Sequence, residues 1–174
     1  NSAAPGTTGG FTNVVIEGNT VTGNGSTDVG SMGIRLLGKT VSTTIQFNTI
    51  EAVETGIRSM AYNSHITAAA DFTVAYNHFA NTSYAVDWQG TDTMSATCNW
   101  WNGISGPTDA TNNPGGLGEA YIGNVEFTPW MIYDTDASVN TGWQLPISFT
   151  VTPPGDVSAA ENDFTTLDNA IACA

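Results

Sequence analysis

The sequence contains very few positive charges. Lysine and arginine together number three, against 16 Asp and Glu residues, and the formal net charge is −13. A nucleic-acid-binding surface needs clustered Lys and Arg to displace counterions from the phosphates, so we expect no nucleic-acid partner. Binding to anionic membrane surfaces is excluded for the same reason.

Long apolar runs and cysteines are also scarce. No stretch approaches the ~18–20 apolar residues that a membrane-spanning helix requires, so we expect no membrane insertion. Only two cysteines, Cys98 and Cys173, are present, and 11% of the residues are charged. An acidic, lysine-poor surface rich in Thr and Asn is typical of exported proteins, and we expect an extracellular or cell-surface location.

One short phrase recurs four times and ends each time at an asparagine. The four copies contain Asn19, Asn48, Asn77 and Asn99, spaced 29, 29 and 22 residues apart. The residues five, three and one positions before each asparagine are mostly apolar. In the second copy they are Thr43, Ile45 and Phe47. Alternation at period two predicts a strand with one buried face. A repeat of this length predicts a solenoid.

A second phrase follows the first three asparagines. It reads Gly33-Ile34-Arg35, Gly56-Ile57-Arg58 and Ala85-Val86-Asp87. In a coiled chain each coil pairs with the next, so equivalent residues stack. Asparagine suits such a stacked turn because it tolerates the left-handed conformation and its amide can bond to the amide one coil away. We therefore predict a ladder of the four asparagines.

The repeat and its ending resemble a known family. The phrase I-x-x-N-x-I, the segment Cys98–Gly103, then Ser105-Gly106-Pro107 and Val125–Trp130 resemble the right-handed parallel β-helix repeats of the pectin-lyase-like superfamily and their last coil. The resemblance covers residues 11–131 and implies an all-β, right-handed parallel β-helix. It implies no single function, because the superfamily holds lyases, hydrolases, adhesins and structural modules.

Beyond Trp130 the repeat stops. Residues 132–162 are predicted to form a linker with one strand over 143–152, and residues 163–174 resemble the short helix that caps a following β-helix. With residues 1–131 as the C-terminal coils of one module, we expect a piece of a tandem array that resembles bacterial surface adhesins. Its partners would be adjoining β-helix modules of the same polypeptide or filament.

Arg35, Arg58 and Asp87 occupy the same position of successive coils. One interpretation is a surface ladder in which Asp87 offsets part of the repulsion between the two arginines, worth at most ~1 kcal/mol if the residues are exposed. The other is a groove that binds an acidic polysaccharide, as a polysaccharide lyase would require. A glycoside hydrolase would need two carboxylates across one cleft, and Glu17, Glu51, Glu54, Asp71 and Asp87 form no evident pair.

Asp134, Asp136 and Ser138 have the D-x-D-x-S spacing of calcium-binding loops. The segment lacks the central Gly and the terminal Glu of an EF-hand loop. A calcium site and a plain hydrophilic linker both remain open, and we expect no other cofactor.

The aromatic and cysteine positions follow from the repeat. Trp88 and Trp101 are expected to point inward, and Cys98 is expected to continue an inward stack of Gly18, Phe47 and Tyr76. Cys98 and Cys173 could form a disulfide or remain two buried thiols.

The favoured hypothesis is a non-catalytic structural or adhesive segment of a large extracellular protein. The alternative is part of a carbohydrate-active enzyme, either a lyase or a glycoside hydrolase. A third hypothesis, ice binding through rows of threonine, starts from Thr20 and Thr49, but the row ends at His78.

Overall fold

The computed structural model describes residues 11–62, 65, 67–132, 134, 142–143 and 173. Within these residues the chain forms fourteen short strands and one 3-10 turn, Ala69–Asp71. In chain order the strands are β1 (Phe11–Thr12), β2 (Val15–Glu17), β3 (Thr20–Thr22), β4 (Met32–Leu37), β5 (Thr40–Val41), β6 (Thr43–Gln46), β7 (Thr49–Glu51), β8 (Thr55–Met60), β9 (Phe72–Ala75), β10 (His78–Ala80), β11 (Tyr84–Trp88), β12 (Met94–Ser95), β13 (Ala120–Ile122) and β14 (Val125–Glu126).

The strands form stacked parallel sheets. The first sheet has the order β14-β12-β9-β6-β2, the second β10-β7-β3 and the third β13-β11-β8-β4, while β1 pairs with β5. Every pair of these strands is parallel. Successive coils thus begin at β2, β6, β9 and β12. The chain is an all-β parallel solenoid of about four turns, which confirms the predicted solenoid.

The interior is filled by apolar side chains at equivalent positions of successive coils. In the first sheet Ile16 pairs with Ile45, and Ile45 pairs with Val74. The coils in the middle of the stack are the most completely covered: Ile45 and Val74 are fully buried, whereas Ile16 on the first coil is half-buried. Trp88 and Trp101 are buried in the same core. Each coil buries its apolar residues against those of the coils on either side, so the core becomes longer with each coil and not wider.

The corner before each ladder asparagine departs from the expected alternation. Gly18, Phe47, Tyr76 and Cys98 have φ values of 66°, 56°, 56° and 56°. The left-handed residue is therefore the one before the asparagine, whereas the prediction assigned that conformation to the asparagine. A left-handed residue ends the strand, so the expected inward stack through Cys98 is wrong. Cys98 belongs to a second cluster that is separate from the solenoid core.

Several predicted features of the chain ends lie outside the described residues. Of the strand predicted over 143–152 only Trp143 is described, and of the helix predicted over 163–174 only Cys173. Over the described part of the chain, no helix has the length and apolar character needed to cross a bilayer.

Candidate functional site

The asparagine ladder runs along the corner between the first and second sheets. Asn19 Nδ2 donates to Asn48 Oδ1 at 2.9 Å, Asn48 Nδ2 donates to Asn77 Oδ1 at 2.9 Å, and Asn77 Nδ2 donates to Asn99 Oδ1 at 3.0 Å. Each acceptor oxygen also receives the backbone N–H of the preceding asparagine. The four residues therefore form one hydrogen-bonded column through all the coils.

The column also satisfies backbone carbonyls of the first sheet. Asn48 Nδ2 donates to Ile16 O at 2.9 Å, and Asn77 Nδ2 donates to Ile45 O at 2.9 Å. Asn48, Asn77 and Asn99 are fully buried, whereas Asn19 is exposed at the first coil. Buried amides are tolerated when their donors and acceptors are paired, and this column pairs them between coils.

The predicted charge column lies on the outer face of the third sheet. Arg35 on β4 pairs with Arg58 on β8, which pairs with Asp87 on β11. The neighbouring residues Ile34, Ile57 and Val86 are buried in the core, so the alternation of the strands directs the charged residues outward. The structure thus brings the three predicted residues together in successive coils.

Asp87 is not exposed as an open charge ladder would require. Its side chain is only 1% exposed, and that of Arg58 is 24% exposed. Arg58 Nε donates to Asp87 Oδ2 in an ion pair, while Asp87 Oδ1 is buried and accepts no hydrogen bond from the described residues. The pair therefore forms a partly buried contact in which Asp87 compensates Arg58, and the limit of ~1 kcal/mol for an exposed pair does not apply to Asp87.

Arg35 differs from Arg58 in both exposure and pairing. Arg35 is exposed, and within the described ranges it forms no ion pair, since the one ion pair there is that of Arg58 with Asp87. Because Asp87 compensates Arg58, Arg35 is the charge of the column that most readily meets a solvent anion. An exposed guanidinium can bind a carboxylate through two parallel hydrogen bonds.

Two other carboxylates of the coils accept hydrogen bonds from polar neighbours. Glu17 Oε2 accepts a 2.8 Å hydrogen bond from Gln46 Nε2, and Glu51 Oε1 accepts a 2.9 Å hydrogen bond from Thr22 Oγ1. Both pairs link adjacent coils at the surface. Among the residues described, no group of three His, Cys, Asp or Glu side chains is placed to hold a metal ion.

The predicted calcium loop is only partly described. Asp134 is exposed, whereas Asp136 and Ser138 lie outside the described residues. The loop therefore stays a prediction.

A hydrogen-bonded cluster that the sequence did not reveal holds the loop over 102–119. The Tyr121 phenol, the Asn112 side chain and the backbone N–H groups of Thr111 and Asn112 all donate to the Asp109 carboxylate. These bonds, above all that of Tyr121, hold the pKa of Asp109 well below its ordinary value of 3.8. Burial and the hydrogen bond to Asp109 raise the pKa of Tyr121 to about 12.

One signal for this cluster was present in the sequence. An Asp followed by polar residues in a loop rich in Gly and Pro is typical of an Asx turn, and Asp109 forms one with Thr111. The sequence did not indicate Tyr121 as the partner of Asp109, because the two residues meet only where the chain returns to form β13.

The two cysteines are joined. A disulfide links Cys98 of the fourth coil to Cys173, with a Cα–Cα distance of 5.3 Å. Cys98, Trp100, Met131, Trp143 and Cys173 form a buried cluster, with Tyr76 packed against it. We call these six residues the outer cluster.

No family model, no curated protein and no solved structure matches the chain. The parallel solenoid therefore rests on the strand pairing and the asparagine column. Membership of the pectin-lyase-like superfamily stays a prediction.

Proposed function

We propose that the chain is a non-catalytic structural or adhesive segment of a large extracellular protein. In this proposal the protein consists of several β-helices of the pectin-lyase-like type, as in bacterial surface adhesins or a filament. Its partners are adjoining β-helix modules. The segment supplies length and stiffness and presents an extended outer face to ligands.

The observation that carries the proposal is the asparagine column. Each of Asn19, Asn48 and Asn77 bonds to the asparagine of the following coil. A solenoid held in this way gains length with each added coil while its cross-section stays constant, which suits a spacer. The ion pair of Arg58 with Asp87 supports the same role, because it links two coils and occupies one of the two arginines.

One observation favours the second candidate, a carbohydrate-active enzyme or binding module for acidic polysaccharide. Arg35 is exposed and lies directly beside Arg58 in the next coil. The guanidinium of Arg35, which forms no ion pair with any described residue, could bind a carboxylate of an acidic sugar chain.

A turnover assay separates the two candidates. The protein is incubated with polygalacturonate and with alginate in the presence of calcium, and the absorbance of unsaturated products and the release of reducing ends are followed. The structural role predicts no turnover. Turnover that is lost in Arg35→Ala, an exposed position whose loss leaves the fold intact, would overturn the proposal and establish the second candidate.

The size and location of the native polypeptide test the structural role directly. An antibody against this chain is applied to fractionated cells of the source organism. We expect a band much larger than 18.2 kDa in the surface or secreted fraction. A band of that mass inside the cell would contradict the proposed role.

A further inference from the structure

Two members of the outer cluster, Trp143 and Cys173, pack against the corner where each coil passes from the first sheet to the second. The left-handed residues before the asparagines lie at this corner, and the rings of Phe47 and Tyr76 stack there with centroids 5.5 Å apart. The ring of Trp100 lies 6.3 Å from that of His78 on the neighbouring coil. We call the corner formed by Phe47, Tyr76, His78 and Trp100 the aromatic corner, and Trp143 and Cys173 pack against it.

Trp143 is the first attachment of that C-terminal part. Its side chain is only 1% exposed, and its ring lies 6.2 Å from the His78 ring on the third coil. Its backbone N–H donates to Phe47 O on the second coil at 3.0 Å. Contacts with two coils fix this residue against the corner.

Gly142 allows the close approach that this attachment needs. Its φ is +88°, and an added Cβ would lie 2.3 Å from Phe47 O and 2.6 Å from the backbone of Gly18. Its N–H lies 3.4 Å from Thr20 Oγ1 on the first coil. A residue with a side chain could not take this place without displacing backbone.

The disulfide is the second attachment. Cys173 lies 30 positions after Trp143 and is bonded to Cys98 on the fourth coil. Both cysteines are buried, at 6% and 2% exposure, and they share the outer cluster with Trp143. Gly142, Trp143 and Cys173 together thus contact all four coils.

We propose that Trp143 and the Cys98–Cys173 disulfide form a redox-dependent clasp on the aromatic corner, which a dithiol reductant opens. One thiolate of the reductant attacks a sulfur of the bridge, and its second thiolate then displaces that sulfur from the mixed disulfide. The S–S bond is reduced to two cysteine thiols, and the reductant is oxidised to a disulfide. The proposal does not depend on the function proposed above.

Trp143 is expected to leave the corner after reduction because its effective concentration near the corner falls. While the bridge is intact, Trp143 is tethered to the corner from both directions along the chain, so a transiently detached side chain rebinds quickly. Reduction removes one tether and adds two free thiols to the cluster. Trp143 then leaves the corner more often, and the rings of Tyr76 and Trp100 become accessible.

Amide hydrogen exchange measured by NMR tests the clasp. In the oxidised protein the Trp143 amide should be protected, because it donates to Phe47 O. After reduction, and equally in Cys173→Ser, its exchange should accelerate about tenfold or more. The Asn48 amide, which donates to Asn77 Oδ1 within the ladder, should keep its protection.

Two results would overturn the proposal. An unchanged Trp143 amide would show that the bridge does not hold this residue. An equal loss of protection at Trp143 and Asn48 would show that the bridge stabilises the whole fold and does not act as a separate clasp.

A second experiment tests whether Trp143 in turn protects the disulfide from reduction. In Trp143→Ala the buried bridge loses part of its cover, so dithiothreitol should reduce it about tenfold faster, as followed by alkylation and mass spectrometry. Trp130→Ala is the matched control, because Trp130 packs against Phe127, 6.1 Å between ring centroids, and not in the outer cluster. No acceleration in Trp143→Ala, or the same acceleration in both variants, would refute the clasp.

Discussion

The side-chain amide of Asn48 donates a 2.9 Å hydrogen bond to Asn77 Oδ1, although the two residues are 29 positions apart in sequence. Asn77 repeats the arrangement with Asn99 on the other side. A central asparagine therefore accepts from one coil and donates to the next. The consequence is that the loss of one side chain disrupts bonds on two sides.

We expect Asn77→Ala to lower the free energy of unfolding by about 4 kcal/mol, because several buried donors and acceptors lose their partner at about 1–3 kcal/mol each. Asn19→Ala serves as the control, since Asn19 is exposed at the first coil and should cost about 1 kcal/mol or less. Chemical denaturation measures both values. Equal losses in the two variants would contradict a buried, continuous column.

The two arginines should differ sharply in their contribution to stability. Arg58→Met leaves the Asp87 carboxylate, 1% exposed, without its partner and should cost about 3–5 kcal/mol. Arg35→Met removes an exposed charge and should cost less than about 0.5 kcal/mol. Both are measured by chemical denaturation. In the double variant Arg58→Met, Asp87→Leu most of the loss should be recovered, because no buried charge remains unpaired.

Stability should fall in acid because of Asp109. Its pKa in the folded protein lies below the ordinary value of 3.8, so its hydrogen bonds stabilise the folded state above that pH. This contribution is lost as the pH falls from about 4 towards the lower folded pKa. In Tyr121→Phe the carboxylate loses its strongest donor, so the slope of unfolding free energy against pH in this range should be shallower than in the wild type. An unchanged slope would show that the bond does not hold the carboxylate ionised.

Tyr121 should make the stability fall as the pH rises in the basic range. Its pKa is raised from 10.0 to about 12 in the folded protein, so the stabilisation is complete below pH 10 and is lost as the pH rises towards 12. Spectrophotometric titration of tyrosine absorbance, compared between wild type and Tyr121→Phe, isolates this group. A Tyr121 that titrates near pH 10 would rule out the buried hydrogen bond.

Gly56 should not accept a side chain. An added Cβ would lie 2.5 Å from Ala85 O and 3.0 Å from the ring of Phe79, and the carbonyl belongs to the paired backbone of β11. We expect Gly56→Ala to cost about 1–3 kcal/mol through overpacking. Gly115→Ala is the control, because nothing lies within 4 Å of its added Cβ, and its thermal unfolding temperature should be unchanged or slightly raised.

Local patterns predicted the strands and their stacking well. The spacing of Asn19, Asn48 and Asn77 matches the register in which Ile16 pairs with Ile45 and Ile45 with Val74. Alternation failed at one position, the residue before each asparagine. Phe47 and Tyr76 are apolar and lie in phase with the strand, and only their left-handed backbone sends the chain round the corner.

The charges show a similar limit. The repeat correctly aligned Arg58 with Asp87, but it did not reveal that Asp87 is buried. The next strand of the sheet beyond Asp87 is β13, whose Ile122 pairs with it and which follows the long loop over 102–119. The same loop brings Asp109 to Tyr121, a contact for which no repeat exists.

The sequence by itself determined the coil length, the parallel stacking and the asparagine column, because each of these repeats a local pattern of side chains at a constant spacing. The tertiary structure alone decided that Cys98 pairs with Cys173, that Trp143 covers the aromatic corner and that Asp87 is enclosed beside Arg58. The first two contacts join a repeated coil to Trp143 and Cys173, which belong to no repeat, and the third is the burial of a residue that the repeat had aligned correctly. Partners outside the repeat and the degree of burial both depend on the folded packing, which no periodicity in the chain encodes.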